Sequence, residues 1–210
     1  MKEFLDYVKF ASRPQFALSV IASPDMNGVN SLQQTRIGGN VGLLFSAGIS
    51  KKWTITTGAV YSVKPYTTGF QNYHTLSQFN TNPVNVMADC RVLDIPVNVG
   101  YQVYYKHQNK ISIGSGLSSY FMLRENYKYN YSSNYATGPA EYNVVNKNQH
   151  ILGILNINAT YERQLNQKVG ISLQPYLKLP LTGIGYGQVR LQTAGLAVGI
   201  SWNLNSSIKR

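Results

Sequence analysis

The stretch LQTAGLAVGISWNL, residues 191–204, alternates with a period of two. Ala194, Leu196, Val198, Ile200, Trp202 and Leu204 fall on one face, and Gly195, Ala197, Gly199, Ser201 and Asn203 on the other. Successive side chains of a strand point to opposite faces. One face is therefore bulky and apolar, the other is built from the smallest residues, and neither carries a charge. An antiparallel sheet in water puts bulk on its buried face and polar groups on its exposed one. Here the bulky face needs no water and the small face has no room. A membrane barrel satisfies both conditions, with lipid outside and a narrow lumen inside.

The same alternation recurs along the chain. Residues 36–49 set Ile37, Val41, Leu43, Phe45 and Ile49 against Gly38, Asn40, Gly42 and Ser46; residues 53–63 set Trp53, Ile55 and Tyr61 against Thr54, Thr56 and Ser62. Residues 93–103 set Leu93, Ile95, Val97 and Val99 against Asp94, Asn98 and Gly100. Residues 111–123, 150–162 and 169–179 repeat the scheme, as does the opening stretch 16–23. Alternating segments of about 10 residues are the signature of an outer-membrane strand. Short turns at 50–52, 106–110 and 166–168 alternate with longer polar stretches at 24–35, 64–89, 125–148 and 181–188. Short periplasmic turns and long extracellular loops have this asymmetry. The pattern predicts an all-β fold, an eight-stranded antiparallel up-and-down transmembrane β-barrel over residues 15–204. Residues 1–14 form an N-terminal extension or linker and 205–210 a C-terminal tail. Trp53, Tyr101, Tyr161 and Trp202 gather at the short-turn end, where an aromatic belt at a membrane interface is expected. Tyr120 and Tyr176 point inward by parity.

Composition narrows the partners. Lys and Arg number 19 against 8 Asp and Glu, a net charge of +11, yet charged residues make up only 13% of the chain, about half the usual share. The excess comes from a shortage of acids, and there is no basic run of the kind that binds nucleic acid. Attraction to phosphorylated lipid head groups fits better. A single cysteine, Cys90, excludes an internal disulfide. No apolar run has the ~18–20 residues of a spanning helix. The opening MKEFLDYVKFASRP lacks the apolar core of a signal peptide; for an outer-membrane protein, the export signal is expected to have been removed or to lie upstream in a longer chain.

Three segments carry a family resemblance. LDIPVNVGYQV (93–103) resembles the L-[DE]-[IL]-P strand of the outer-membrane β-barrel proteins of Bacteroidota, the porin-like or PorT-like group. QPYLKLPLTGIGYGQVRLQTAGLAVGISWNL (174–204) resembles their closing hairpin, and FALSVIASPDMNGV (16–29) is similar to an opening strand that ends in a Pro-Asp turn. The resemblance covers most of the chain and implies an outer-membrane barrel without naming a function. Such barrels usually end on an aromatic; here Trp202 and Leu204 take that place and residues 205–210 follow.

Candidate functional residues are few. Asp94, Arg124, Glu162 and Lys178 face inward by parity and are expected to neutralise one another in a polar network within the lumen. Among His74, His107 and His150, only His150, with Glu141 or Ser133, could form a catalytic grouping, and no local Ser-His-acid spacing or metal spacing is present. Gly183, Gly185 and Gly187 are expected in a tight hairpin over the barrel mouth. The stretch NYKYNYSSNYATGPAEYN (126–143) offers Tyr127, Tyr129, Tyr131, Tyr135 and Tyr142 as an extracellular contact surface for a glycan or a protein. The expected function is that of a monomeric integral barrel, non-enzymatic and without cofactor or metal, with a structural or surface-binding role. The alternatives are a lipid-modifying outer-membrane enzyme and a soluble lipocalin-like barrel with an apolar ligand, which needs its large residues inside.

Overall fold

The computed structural model describes residues 15–32, 34–75, 79–133 and 137–204. Among these the chain forms strands β1 (Gln15–Val29), β2 (Arg36–Gly48), β3 (Trp53–Gly69), β4 (Asn85–Lys106), β5 (Asn109–Asn130), β6 (Glu141–Val145), β7 (Gln149–Gln164), β8 (Val169–Pro180) and β9 (Leu191–Asn203). Every pairing is antiparallel, and β4 pairs with β5 while β1 pairs with β9, so the sheet closes on itself. Eight strands form the ring; β6 lies on β5 above β7 and continues that position upward. Closure removes both sheet edges, which lipid requires of any spanning sheet. The terminal segments 1–14 and 205–210 lie outside the described residues.

Turn chemistry sets one end. Ser50 Oγ accepts the Trp53 N–H at 3.2 Å, and Asn166 Oδ1 accepts the N–H groups of Lys168 and Val169 at 2.8 Å each; short polar side chains close such turns. His107, with φ of 55°, closes the hairpin between β4 and β5. Pro24, Pro96 and Pro175 sit inside strands, and each coincides with a break in one ladder: β1–β9, β3–β4 and β7–β8. A proline has no N–H to donate, so the break falls where the bond cannot form.

The face assignment follows the alternation. Val41, Leu43, Val97, Val99, Ile113, Ile157, Leu173, Val198 and Ile200 are exposed on the barrel's exterior. On β4 the outward residues from Tyr101 up to Leu93 are all apolar or aromatic, a pass of the ~9–11 residues a tilted strand needs. Trp53, Tyr161 and Trp202 are exposed at the lower rim, and the rings of Trp53 and Tyr101 stand 4.9 Å apart. Large residues therefore face out, which removes the lipocalin-like alternative.

Above the band the pattern inverts. On β4, Val86, Ala88, Cys90 and Val92 are buried inside, while Asp89 and Arg91 point out and pair at 3.1 Å. The change of phase falls between Val92 and Leu93, two adjacent apolar residues. Below it the strand is bulky outside and small or polar inside; above it the strand is apolar inside and, Met87 apart, polar outside, like a strand of a soluble barrel. The barrel thus extends past the membrane as a walled tower with its own core.

Candidate functional site

Three layers fill the lumen. The lowest is a polar vestibule of about 220 Å³, open at the short-turn end and lined by small side chains such as Ser46, Thr56, Ser112, Asn158 and Ser172. At its mouth Glu162 pairs with Lys110 at 3.6 Å and accepts the Gln164 amide at 2.5 Å.

The middle layer is ionic. Lys64 Nζ meets Asp25 Oδ2 at 3.1 Å, and the two side chains are 1% and 0% exposed. Asp25 also accepts Nδ2 of Asn27 at 2.7 Å and Nδ2 of Asn40 at 2.8 Å. Asn40 reaches the Tyr176 hydroxyl at 2.8 Å, and that hydroxyl shares a hydrogen bond with Ser23 at 2.9 Å. A second pair joins Lys178 to Asp94, with the Ser118 hydroxyl 3.4 Å from the ammonium. The Tyr120 ring stands between the pairs, its centroid 5.8 Å from Lys64 Nζ and 5.7 Å from Lys178 Nζ. Two ammonium groups, two carboxylates and one aromatic face make a layer of zero net charge, as a low-dielectric interior demands.

The upper layer is the tower's core. Tyr66, Tyr73, Val86, Met122, Tyr127 and Tyr129 pack there with Ile184 and Val189, which the connection between β8 and β9 inserts from above. Tyr73 and Tyr129 share a hydroxyl hydrogen bond at 2.9 Å. Glu125 is fully buried among them and is held by three donors: Tyr127 Oη at 2.5 Å, Asn148 Nδ2 at 2.5 Å and the Tyr186 N–H at 2.7 Å. His150 Nε2 accepts the Gly185 N–H at 2.9 Å. Gly185 has φ of 69°, and a Cβ there would lie 2.5 Å from Glu125 Oε2, so glycine is needed for backbone and space alike. The glycine hairpin is a cap, plugged into the barrel and fastened by a carboxylate and an imidazole.

The sequence-predicted residues divide accordingly. Asp94 and Lys178 meet; Glu162 lies apart from them, at the vestibule mouth with Lys110. Arg124 is corrected: it faces outward. Register puts Val92 opposite Met122 but Arg91 opposite Arg124, so Leu123 is an extra residue that reverses the parity beyond it. The same bulge turns Tyr127 and Tyr129 into the core, at 0% and 5% exposure, and removes them from the contact surface. Tyr131 donates to the Pro139 carbonyl at 3.0 Å, Tyr142 stays accessible with its ring 4.8 Å from that of Tyr186, and Tyr135 lies outside the described residues. Glu141 pairs with Lys128 at 3.1 Å on the exterior, away from the inward-facing His150. Among the described residues no three His, Cys, Asp or Glu side chains gather as a metal site would require. Sequence reasoning missed Asp25, Lys64 and Glu125 because each sat in a stretch assigned to a loop.

No protein-family model matches the chain, and no curated protein does. Among solved structures, Neisserial surface protein A (NspA) superposes with a TM-score of 0.59 at 10% identity, over 90% of this chain and 97% of that one. The fold is that of an outer-membrane β-barrel. The chain is also similar to OprG, an outer membrane protein of Pseudomonas aeruginosa (TM-score 0.47, 9% identity, 92% and 96% of the two chains). A third likeness is to Ail, the attachment invasion locus protein of Yersinia pestis, solved with the heparin analogue sucrose octasulfate (TM-score 0.46, 8% identity, 91% and 99%). The charge-free apolar band of the exterior is the surface this fold turns to lipid, and the chain is an integral outer-membrane barrel.

The cap carries a prediction. His150→Ala removes the acceptor of the Gly185 N–H and is expected to destabilise the folded barrel by about 1–3 kcal/mol, whereas His150→Gln, whose amide oxygen can accept that N–H, is expected to keep most of the stability. Unfolding midpoints of the two variants and the parent protein test it.

Proposed function

We propose that this chain is a non-conducting, non-enzymatic barrel with a structural or surface-binding role, and that it acts as a monomer. The observation that carries this reading is the stacked closure of the lumen. Lys64 and Asp25 are sealed from solvent, and the tower core and its cap lie above them. An open ion path needs free charges that water can reach; here each lumen charge of the middle layer is spent on a partner of opposite sign, and the Lys64–Asp25 pair is buried on both sides. The non-enzymatic part is supported by His150 and Glu141, the pair closest to a catalytic grouping in the sequence. His150 holds the cap, and Glu141 is engaged by Lys128 on the other side of the wall.

The contact surface of this reading is the top of the tower. Tyr142 and Tyr186 present a paired aromatic face, suited to a glycan or a protein loop. Membership of the Bacteroidota porin-like or PorT-like group is part of the same proposal, supported by the strand 93–103 and the closing hairpin. Planar-bilayer recording tests the central element: insertion of the purified barrel is expected to give no steady current steps at either polarity. Reproducible steps from the unmodified protein, with a defined ion selectivity, would contradict a sealed lumen.

A further inference from the structure

The bulge at Leu123 does more than turn tyrosines inward: it puts a second arginine on the outer wall. Register sets Arg124 directly across from Arg91 on the exterior, and like charges facing each other across strands destabilise a sheet. Asp89 engages Arg91 at 3.1 Å, and Glu141 engages Lys128 at 3.1 Å. Among the described residues Arg124 has no carboxylate partner, and neither has Lys147. Lys147 belongs to the same patch, because its segment is tied to the bulge. The Asn146 N–H donates to the Leu123 carbonyl at 3.3 Å, and the Met122 N–H donates to the Asn148 carbonyl at 3.0 Å. Two uncompensated cations therefore stand beside a third that one aspartate neutralises.

Their height decides the ligand. Leu93 and Phe121, a register pair, lie on the lipid-facing wall just below Arg91 and Arg124, and Val63 and Val145 flank the two arginines at their own height. Anything bound here has its acyl chains on Leu93 and Phe121 and its polar group at the arginines. We propose that Arg91, Arg124 and Lys147 bind the phosphate of a phosphorylated saccharide lipid of the outer leaflet. Guanidinium groups pair with phosphate oxygens in bidentate fashion, and an anion between Arg91 and Arg124 turns their repulsion into a shared attraction. This site rests on the membrane assignment given above.

The test uses the full chain refolded in phosphatidylcholine vesicles, with the temperature at which the compact gel band is lost as readout. Vesicles doped with a diphosphorylated lipid A are expected to raise that temperature by several degrees, and the same glycolipid stripped of phosphate is not. Arg124→Gln combined with Lys147→Gln removes most of the rise, whereas Lys51→Gln with Lys52→Gln, at the opposite rim, keeps it. Arg124→Lys, which retains charge but not the fork, keeps part of the rise. Each variant is compared with its own midpoint in plain phosphatidylcholine, so a change in intrinsic stability cancels. Equal protection by the dephosphorylated glycolipid, equal protection by inorganic phosphate, or a full rise in the double variant would overturn the site. Failure of the unmodified chain to form a compact band in any vesicle would instead overturn the membrane assignment.

Discussion

Asp25→Ala is expected to destabilise the folded barrel by about 3–5 kcal/mol, the cost of leaving a buried charge without its partner. Lys64 is 1% exposed and cannot turn to water, and removal of Asp25 also takes the acceptor from the Asn27 amide and one acceptor from Asn40, which keeps the Tyr176 hydroxyl. The nearest remaining carboxylate of the layer, Asp94, is already held by Lys178. The double replacement Asp25→Leu with Lys64→Met is expected to recover most of the loss, because apolar residues of similar volume replace a buried ion pair at little or no cost. Recovery stays incomplete, since the Asn27 amide still lacks its acceptor. Urea unfolding of the single and double variants in vesicles, followed by gel mobility, measures both steps. A single variant as stable as the parent protein would mean that Lys64 reaches solvent, and with it that the lumen is open at this level.

The second large effect belongs to the exterior. Val97 lies mid-way up the apolar wall of β4 and is 46% exposed. An arginine on the lipid face at mid-membrane costs about 2–4 kcal/mol, falling to about 0–1 near the interface. Val97→Arg should therefore be strongly destabilising and Tyr101→Arg, at the belt, only weakly so. Asn98→Ser, one residue away but inside, is expected to cost less than Val97→Arg: it faces the polar vestibule, and the Asn156 amide that it accepts from keeps the Ser118 hydroxyl. The ordering of these variants in the same unfolding assay reports depth and face together. A Val97→Arg protein as stable as Tyr101→Arg would show that this wall does not meet hydrocarbon.

The parts of the fold legible in the sequence are those that lipid dictates. Where a strand crosses the membrane, its outer residues must all be apolar, so strands such as 93–103 and 191–204 show an uninterrupted period of two. The tower escaped detection for a physical reason: outside the membrane the same strand obeys the opposite rule. In NVMADCRVLDIP the inward residues Val86, Ala88, Cys90 and Val92 carry the apolar phase, and from Leu93 the outward residues carry it. Two good alternations in opposite phase cancel in a single window and resemble a loop. Pro24-Asp25 was similarly misleading, because the pair has turn chemistry and yet lies within β1, where Pro24 faces out and breaks only one ladder.

The candidate site was half legible for the same reason. Asp94 and Lys178 lie on strands whose parity the sequence fixes, and they meet. Asp25, Lys64 and Glu125 lie beyond the apparent strand ends, so nothing local marks them as buried. The bulge at Leu123 could not be found from residue pattern: only the pairing with β4 reveals that one residue is extra. Its consequence is large, for it turns Arg124 outward and brings Glu125, Tyr127 and Tyr129 into the core.

The central claim is that bulky residues face lipid and small ones face a filled lumen, and the two tryptophans report on it directly. Trp53 and Trp202 both stand on the exterior at the short-turn rim. Tryptophan fluorescence is measured after refolding in vesicles whose acyl chains carry bromine either near the head group or near the bilayer centre. Strong quenching by the shallow bromine and weak quenching by the deep one is the predicted result. Emission that neither lipid quenches would place both rings out of contact with hydrocarbon and contradict the barrel as described.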